Sequence, residues 1–152
     1  MKQLSLLTAF MMIAFLAGAQ NKTASSLQYK TAVGVKLWNG GGVTLKTFVK
    51  DNQALELIGF LNSAGTRITG LYEFHGDLNT EGNLKWYLGF GAHAGLYKLD
   101  NTLFGVDGVV GMDYKFKDMP LNLALDWQPT IEFKKNYGFT GNWGGLAIRY
   151  TL

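Results

Sequence analysis

From residue 29 onward, apolar and polar residues alternate with a period of two, and the 3.6-residue period of a helix never takes hold. Runs at 29–38, 43–50, 54–62, 67–76, 84–97, 104–116, 121–133 and 143–152 predict eight strands. The breaks between them are rich in turn formers, among them Asn39-Gly40-Gly41-Gly42, Asp51-Asn52 and Lys117-Asp118-Met119-Pro120. No linker, repeat or shift of composition interrupts the series. Residues 29–152 therefore predict one all-β domain.

Each strand has two unlike faces. In 121–133 one face reads Leu121, Leu123, Leu125, Trp127, Pro129, Ile131, Phe133, and the other Asn122, Ala124, Asp126, Gln128, Thr130, Glu132. In 84–97, Leu84, Trp86, Leu88 and Phe90 stand against Lys85, Tyr87, His93 and three glycines. Strand 54–62 is the least clear, because Ile58 and Phe60 share a face with Glu56. On this register no apolar face carries a charge.

The N-terminus obeys a different rule. Met1-Lys2-Gln3 is followed by an apolar run to Leu16 and by the small residues Ala17-Gly18-Ala19. A positive start, a short apolar middle and an A-x-A site predict a secretory signal peptide over 1–19, with 20–28 a polar lead-in. The run is too short to cross a bilayer as a helix. The chain has no cysteine, so disulfides, thiol catalysis and Cys-ligated metals are excluded. Net charge is only +3 and the basic residues are scattered, which gives no nucleic-acid footprint.

Composition then helps to choose which face points outward. A soluble barrel of the lipocalin kind, secreted and binding an apolar small molecule inside, would turn its charges to water. Here charged residues are only 16% of the chain, and the polar face is padded with glycine, which suits a crowded interior. Its charges also balance, as a confined interior favours. Lys30, Lys36, Lys46, Lys85, Lys115 and Arg149 stand against Glu56, Glu73, Asp107, Asp113, Asp126 and Glu132. Lys50 and Arg67 fall at strand ends and are assigned to water. Arg149 and Asp126, on neighbouring strands, are the expected ion pair. Aromatics gather near apolar-face strand ends, with Tyr29, Phe74, Trp86, Phe116 and Tyr150 at one rim and Phe104 and Phe133 at the other. The expectation is an eight-stranded antiparallel up-and-down transmembrane barrel.

The hairpin Asp113-Tyr114-Lys115-Phe116-Lys117-Asp118-Met119-Pro120-Leu121-Asn122-Leu123-Ala124-Leu125-Asp126-Trp127-Gln128-Pro129 and the ending Gly144-Gly145-Leu146-Ala147-Ile148-Arg149-Tyr150-Thr151-Leu152 carry a resemblance. The chain resembles the small outer-membrane barrels of Gram-negative bacteria, the OmpA-like, OmpX-like and opacity-type porin families. The ending is similar to the strand signal read by the barrel assembly machinery, although Leu152 stands where Phe is commoner. The resemblance implies a bacterial outer-membrane location, outer-membrane lipid and that machinery as partners, and no cofactor or catalytic residues. With both ends in the periplasm, the connections 39–42, 63–66, 98–103 and 134–142 face outside, and they are short for an adhesin.

Catalysis gains little support from the residues. A lipid-modifying barrel enzyme needs a nucleophile beside its base. Beyond the leader the serines are Ser25, Ser26 and Ser63, none of them two residues from His75 or His93 on a strand face. The glycine run after Asn39 precedes a strand, so it predicts a hairpin and not a phosphate loop. No metal site is expected.

Overall fold

The computed structural model describes residues 29–78, 83–98, 101–133 and 138–152. The predicted leader and lead-in lie outside them. Eight strands follow in chain order: β1 (Thr31–Trp38), β2 (Gly40–Lys50), β3 (Gln53–Asn62), β4 (Gly65–Asp77), β5 (Leu84–Tyr97), β6 (Asn101–Lys115), β7 (Leu121–Phe133) and β8 (Gly138–Thr151). Every strand pairs antiparallel with the next, and β1 pairs with β8, which closes an up-and-down barrel. Closure leaves neither end of the sheet as an open edge along the seam. Leu152 N donates to Thr31 O at 2.8 Å where that seam begins.

Local chemistry sets the turns. Asn62 Oδ1 accepts from the backbone N–H of Ala64 and of Gly65, both at 2.9 Å, and so folds β3 back onto β4. Gly40 opens β2 at φ +143, and a Cβ there would stand 2.5 Å from Leu61 O. Only glycine fits that corner. Pro129 has no N–H to donate and sits where the β7–β8 register shifts between Gln128 and Thr130.

The alternation resolves into an apolar outside and a largely polar inside. Leu45, Leu57, Ile68, Leu88, Phe90, Val110, Leu125 and Ile148 are exposed on the outer wall, whereas Lys36, Lys46, Glu56, Glu73, Asp126 and Arg149 are buried. Strand β3 is clarified: Glu56, Ile58 and Phe60 all point inward, with exposures of 2%, 3% and 5%. The interior is therefore not uniformly polar. Ile58, Leu71 and Val109 pack with Phe60, Tyr87, Ala124 and Ala147. On β4 Leu71 stands between inward Arg67 and Glu73, and on β6 Val109 stands between Asp107 and Asp113. An apolar belt thus separates two charged regions.

The aromatic expectation holds at some positions and not at others. Phe74 and Trp86 are exposed near one rim, and Phe104 and Phe133 near the other. Tyr29 instead turns inward, where its hydroxyl donates to Asp113 Oδ2 at 2.9 Å and its ring meets Phe48 edge-on. A buried carboxylate that accepts a phenol bond outweighs a place at the rim.

Candidate functional site

The interior holds the chemistry, and its residues arrive there two apart along each strand. At the end that holds Tyr29 and Leu152, Arg149 is fully buried. Its Nη2 donates to Glu56 Oε1 at 2.5 Å, Nη1 to Asn122 Oδ1 at 3.1 Å, and Nε to Thr44 Oγ1 at 3.3 Å. Thr44 and Asn122 in turn donate to Glu56 and Asp113. Lys46 Nζ lies where three carboxylates converge, 2.8 Å from Glu73, 3.6 Å from Asp113 and 3.7 Å from Glu56, and 4.2 Å from the centre of the Tyr87 ring. His75 Nε2 is 3.0 Å from Glu73, and its ring stacks on Tyr87. Two cations here face three carboxylates.

Next along the interior, Lys36 Nζ meets Asp126 Oδ2 at 2.6 Å. Tyr87 and Gln128 donate to the same carboxylate at 2.7 and 3.2 Å. The expected Arg149–Asp126 pair is not formed. Gly145 gives the reason, since a Cβ there would lie 2.9 Å from Lys36 Cγ and Cε. The bare backbone of β8 lets the Lys36 stem pass over it to β7, and Arg149 reaches across to β3.

Beyond the apolar belt, Arg67 pairs with Asp107, donates to Thr130 at 2.8 Å and lies 3.1 Å from His93 Nδ1. Its guanidinium carbon sits 4.1 Å above the Trp143 ring. Thr130 and His93 also bond Asp107, the latter at 2.8 Å. Arg67 was expected in water, but β4 begins at Gly65 and the neighbouring strands rise past it, so it is buried.

Several expected members lie elsewhere. Lys30 is exposed. Lys85 is half-buried and pairs with exposed Asp77 at 2.6 Å, at the end of β4. Lys115 Nζ donates to the carbonyls of Phe116 and Met119 in the β6–β7 turn. Glu132 is half-buried near the far end of β7. Among the described residues, the buried charges are Lys36, Lys46, Arg67 and Arg149 against Glu56, Glu73, Asp107, Asp113 and Asp126.

This arrangement fills the interior with mutually bonded side chains. Asp107 holds His93 much as an acid orients a catalytic base, but His93 Nε2 would lie 3.0 Å from a Cβ at Gly105, so the ring's far edge faces backbone and not a hydroxyl. Two shallow recesses, about 400 and 430 Å³, lie on either side of Phe90 and are lined mainly by outer-wall residues. Fold and interior together define a small eight-stranded antiparallel barrel with buried polar and charged residues. No protein-family model, curated protein or solved structure matches the chain.

Proposed function

We propose that this chain is a small outer-membrane β-barrel protein of a Gram-negative bacterium. The leader 1–19 sends it across the inner membrane, and the outer wall then meets lipid. What carries the reading is one contrast, repeated strand by strand. Side chains facing solvent in the middle of each strand are apolar, while those facing inward include nine buried charges. That inverts the pattern of a barrel made for water and matches one made for lipid. The strands have 8–15 residues, which brackets the roughly 9–11 needed for a tilted crossing.

Its role in this reading is structural within the porin-like class, with outer-membrane lipid and the assembly machinery as partners. The interior bonds take up the space an open channel would need, as the small diameter of eight strands favours. The secreted barrel for an apolar ligand, the alternative raised by the alternation, would need apolar side chains at positions now held by Lys36, Lys46 and Arg149.

Cell fractionation tests the proposal, with the outer-membrane fraction run on gels boiled and unboiled. Recovery there with a heat-dependent shift in mobility supports a closed barrel in the membrane. Recovery in the soluble periplasmic or secreted fraction overturns the assignment.

A further inference from the structure

The charges of the interior do not balance at the end that holds Tyr29 and Leu152. Arg149 and Lys46 face Glu56, Glu73 and Asp113 there, and all five are buried. The next charges along the barrel, Lys36 and Asp126, neutralise each other at 2.6 Å. One carboxylate is left over. A buried acid without a cation of its own is held more cheaply with a proton than without one.

The bonding singles out two acids. Asp113 accepts one donor on each oxygen, from Tyr29 and from Asn122. Glu56 Oε1 accepts from Thr44 and Arg149, and Glu73 Oε2 from Lys46, with His75 Nε2 3.0 Å away. The remaining oxygens, Glu56 Oε2 and Glu73 Oε1, are buried and take no hydrogen bond from any described residue. Strand register brings these two side chains together. Glu56 stands opposite Leu71 on the β3–β4 ladder and Glu73 opposite Ala54, so the glutamates are diagonal neighbours on the inner face. They lie within hydrogen-bond reach of each other. Two carboxylates so placed repel and have no hydrogen to share, whereas one proton between them makes a bond.

His75 is the other place where that proton could rest. Its Nδ1 is buried without a partner, and an imidazolium would need an acceptor at that atom. The rings of Tyr87 and Phe48 pack on His75, and Lys46 stands on the far side of the same Glu73 oxygen. The surroundings therefore favour a neutral imidazole.

We propose that Glu56 and Glu73 share one proton in the folded barrel at neutral pH, forming a clasp between β3 and β4 that comes apart as the pH rises. Loss of the proton leaves three carboxylates against two cations in a closed space. In the unfolded chain both glutamates are ionised above about pH 5, so the folded state binds the extra proton and its stability falls with rising pH. The inference rests on interior contacts and holds wherever the barrel resides.

Infrared spectroscopy of the full chain folded in lipid vesicles reads the proton directly. The expected result at neutral pH is a protonated-carboxyl band that moves when the glutamates are isotope-labelled and is missing from Glu73→Gln. The amide of that variant offers Glu56 a permanent N–H in place of the shared proton, so the barrel keeps its fold. Urea unfolding supplies the second reading. Between about pH 6.5 and 7.5 the unfolding constant of the unmodified chain should rise about tenfold more than that of Glu73→Gln.

Absence of the band from the unmodified chain would overturn the proposal. A band that persists in Glu73→Gln would place the proton on another acid and overturn it too. Parallel pH profiles for the two chains would equally sink it. So would a steeper profile without the band, which would give the proton to His75.

Discussion

The two charged regions on either side of the apolar belt solve the same problem with different means. Near Tyr29 and Leu152, Arg149, Lys46, Glu56, Glu73 and Asp113 come from five strands and share bonds, so each is held by several others. Near the opposite end the ion pair Arg67–Asp107 is supported by Thr130, Thr69, His93 and the face of Trp143. A buried charge loses several kcal/mol of hydration and needs that loss made good locally. The first region does so with other charges, the second with hydroxyls, an imidazole and a ring. The difference predicts that losing one cation will cost far more in the first region.

Arg149→Leu should show the largest effect. It leaves Glu56 buried with Lys46 3.7 Å away as its nearest remaining cation, and takes one donor each from Thr44 and Asn122. An uncompensated buried charge of this kind costs about 3–5 kcal/mol, to be read from urea unfolding in lipid vesicles. Adding Glu56→Leu to the same chain should recover at least half of the loss. A double variant no better than the single would show that Arg149 acts through shape and not through charge.

Much of this architecture was legible in the alternation, and the failures have local causes. Strands β5 and β7 have the boundaries that the pattern predicts, and each follows directly on a turn former, Asn83 and Pro120. Strand β8 begins at 138, five residues before the predicted 143, since Gly138, Gly141 and Gly144 blur the period. Lys36, Asp113, Asp126 and Arg149 were visible as inward charges, but their partners were not. Pairing depends on which backbone a long side chain can cross, and Gly145 decides that for Lys36. Arg67 was hidden by its place near a strand end in sequence, which says nothing of how high the neighbouring strands rise. Tyr29 was misplaced because an aromatic at a strand end reads as a rim residue unless its hydroxyl's partner is known.

A second variant sets the interior against the outer wall. Leu125→Lys puts a charge on the exposed side of β7, half a turn of the pleat from Asp126. If the wall meets lipid, this should cost about 2–4 kcal/mol near the bilayer midplane and lower the yield of folded barrel in vesicles. Normal assembly with unchanged stability would contradict the membrane reading, since a water-facing wall accepts lysine readily.

Arg67→Met sharpens the contrast between the two regions. Asp107 would keep Thr130 and His93 as donors, so the expected cost is about 1–3 kcal/mol, smaller than that of Arg149→Leu by the same unfolding measurement. Part of the loss comes from the cation–ring contact, and Trp143 fluorescence should change as the guanidinium leaves its face. Equal costs for the two arginine variants would mean that hydroxyl, imidazole and ring partners do not substitute for further carboxylates and ammonium groups in this interior.

The smallest effect belongs to Lys85→Met, which breaks the Lys85–Asp77 pair. Its geometry, 2.6 Å, is as close as that of Lys36–Asp126, yet the Asp77 side chain is 59% exposed. Water screens the attraction and rehydrates the carboxylate once lysine is gone, so the expected cost is about 0–1 kcal/mol. Lys36→Met has the same chemistry and the same starting distance, but Asp126 would stay enclosed with Tyr87 and Gln128 as its named donors. Measured side by side, the pair isolates enclosure from distance. A Lys85→Met cost that matched Lys36→Met would make ion-pair length, and not burial, the quantity that sets stability in this barrel.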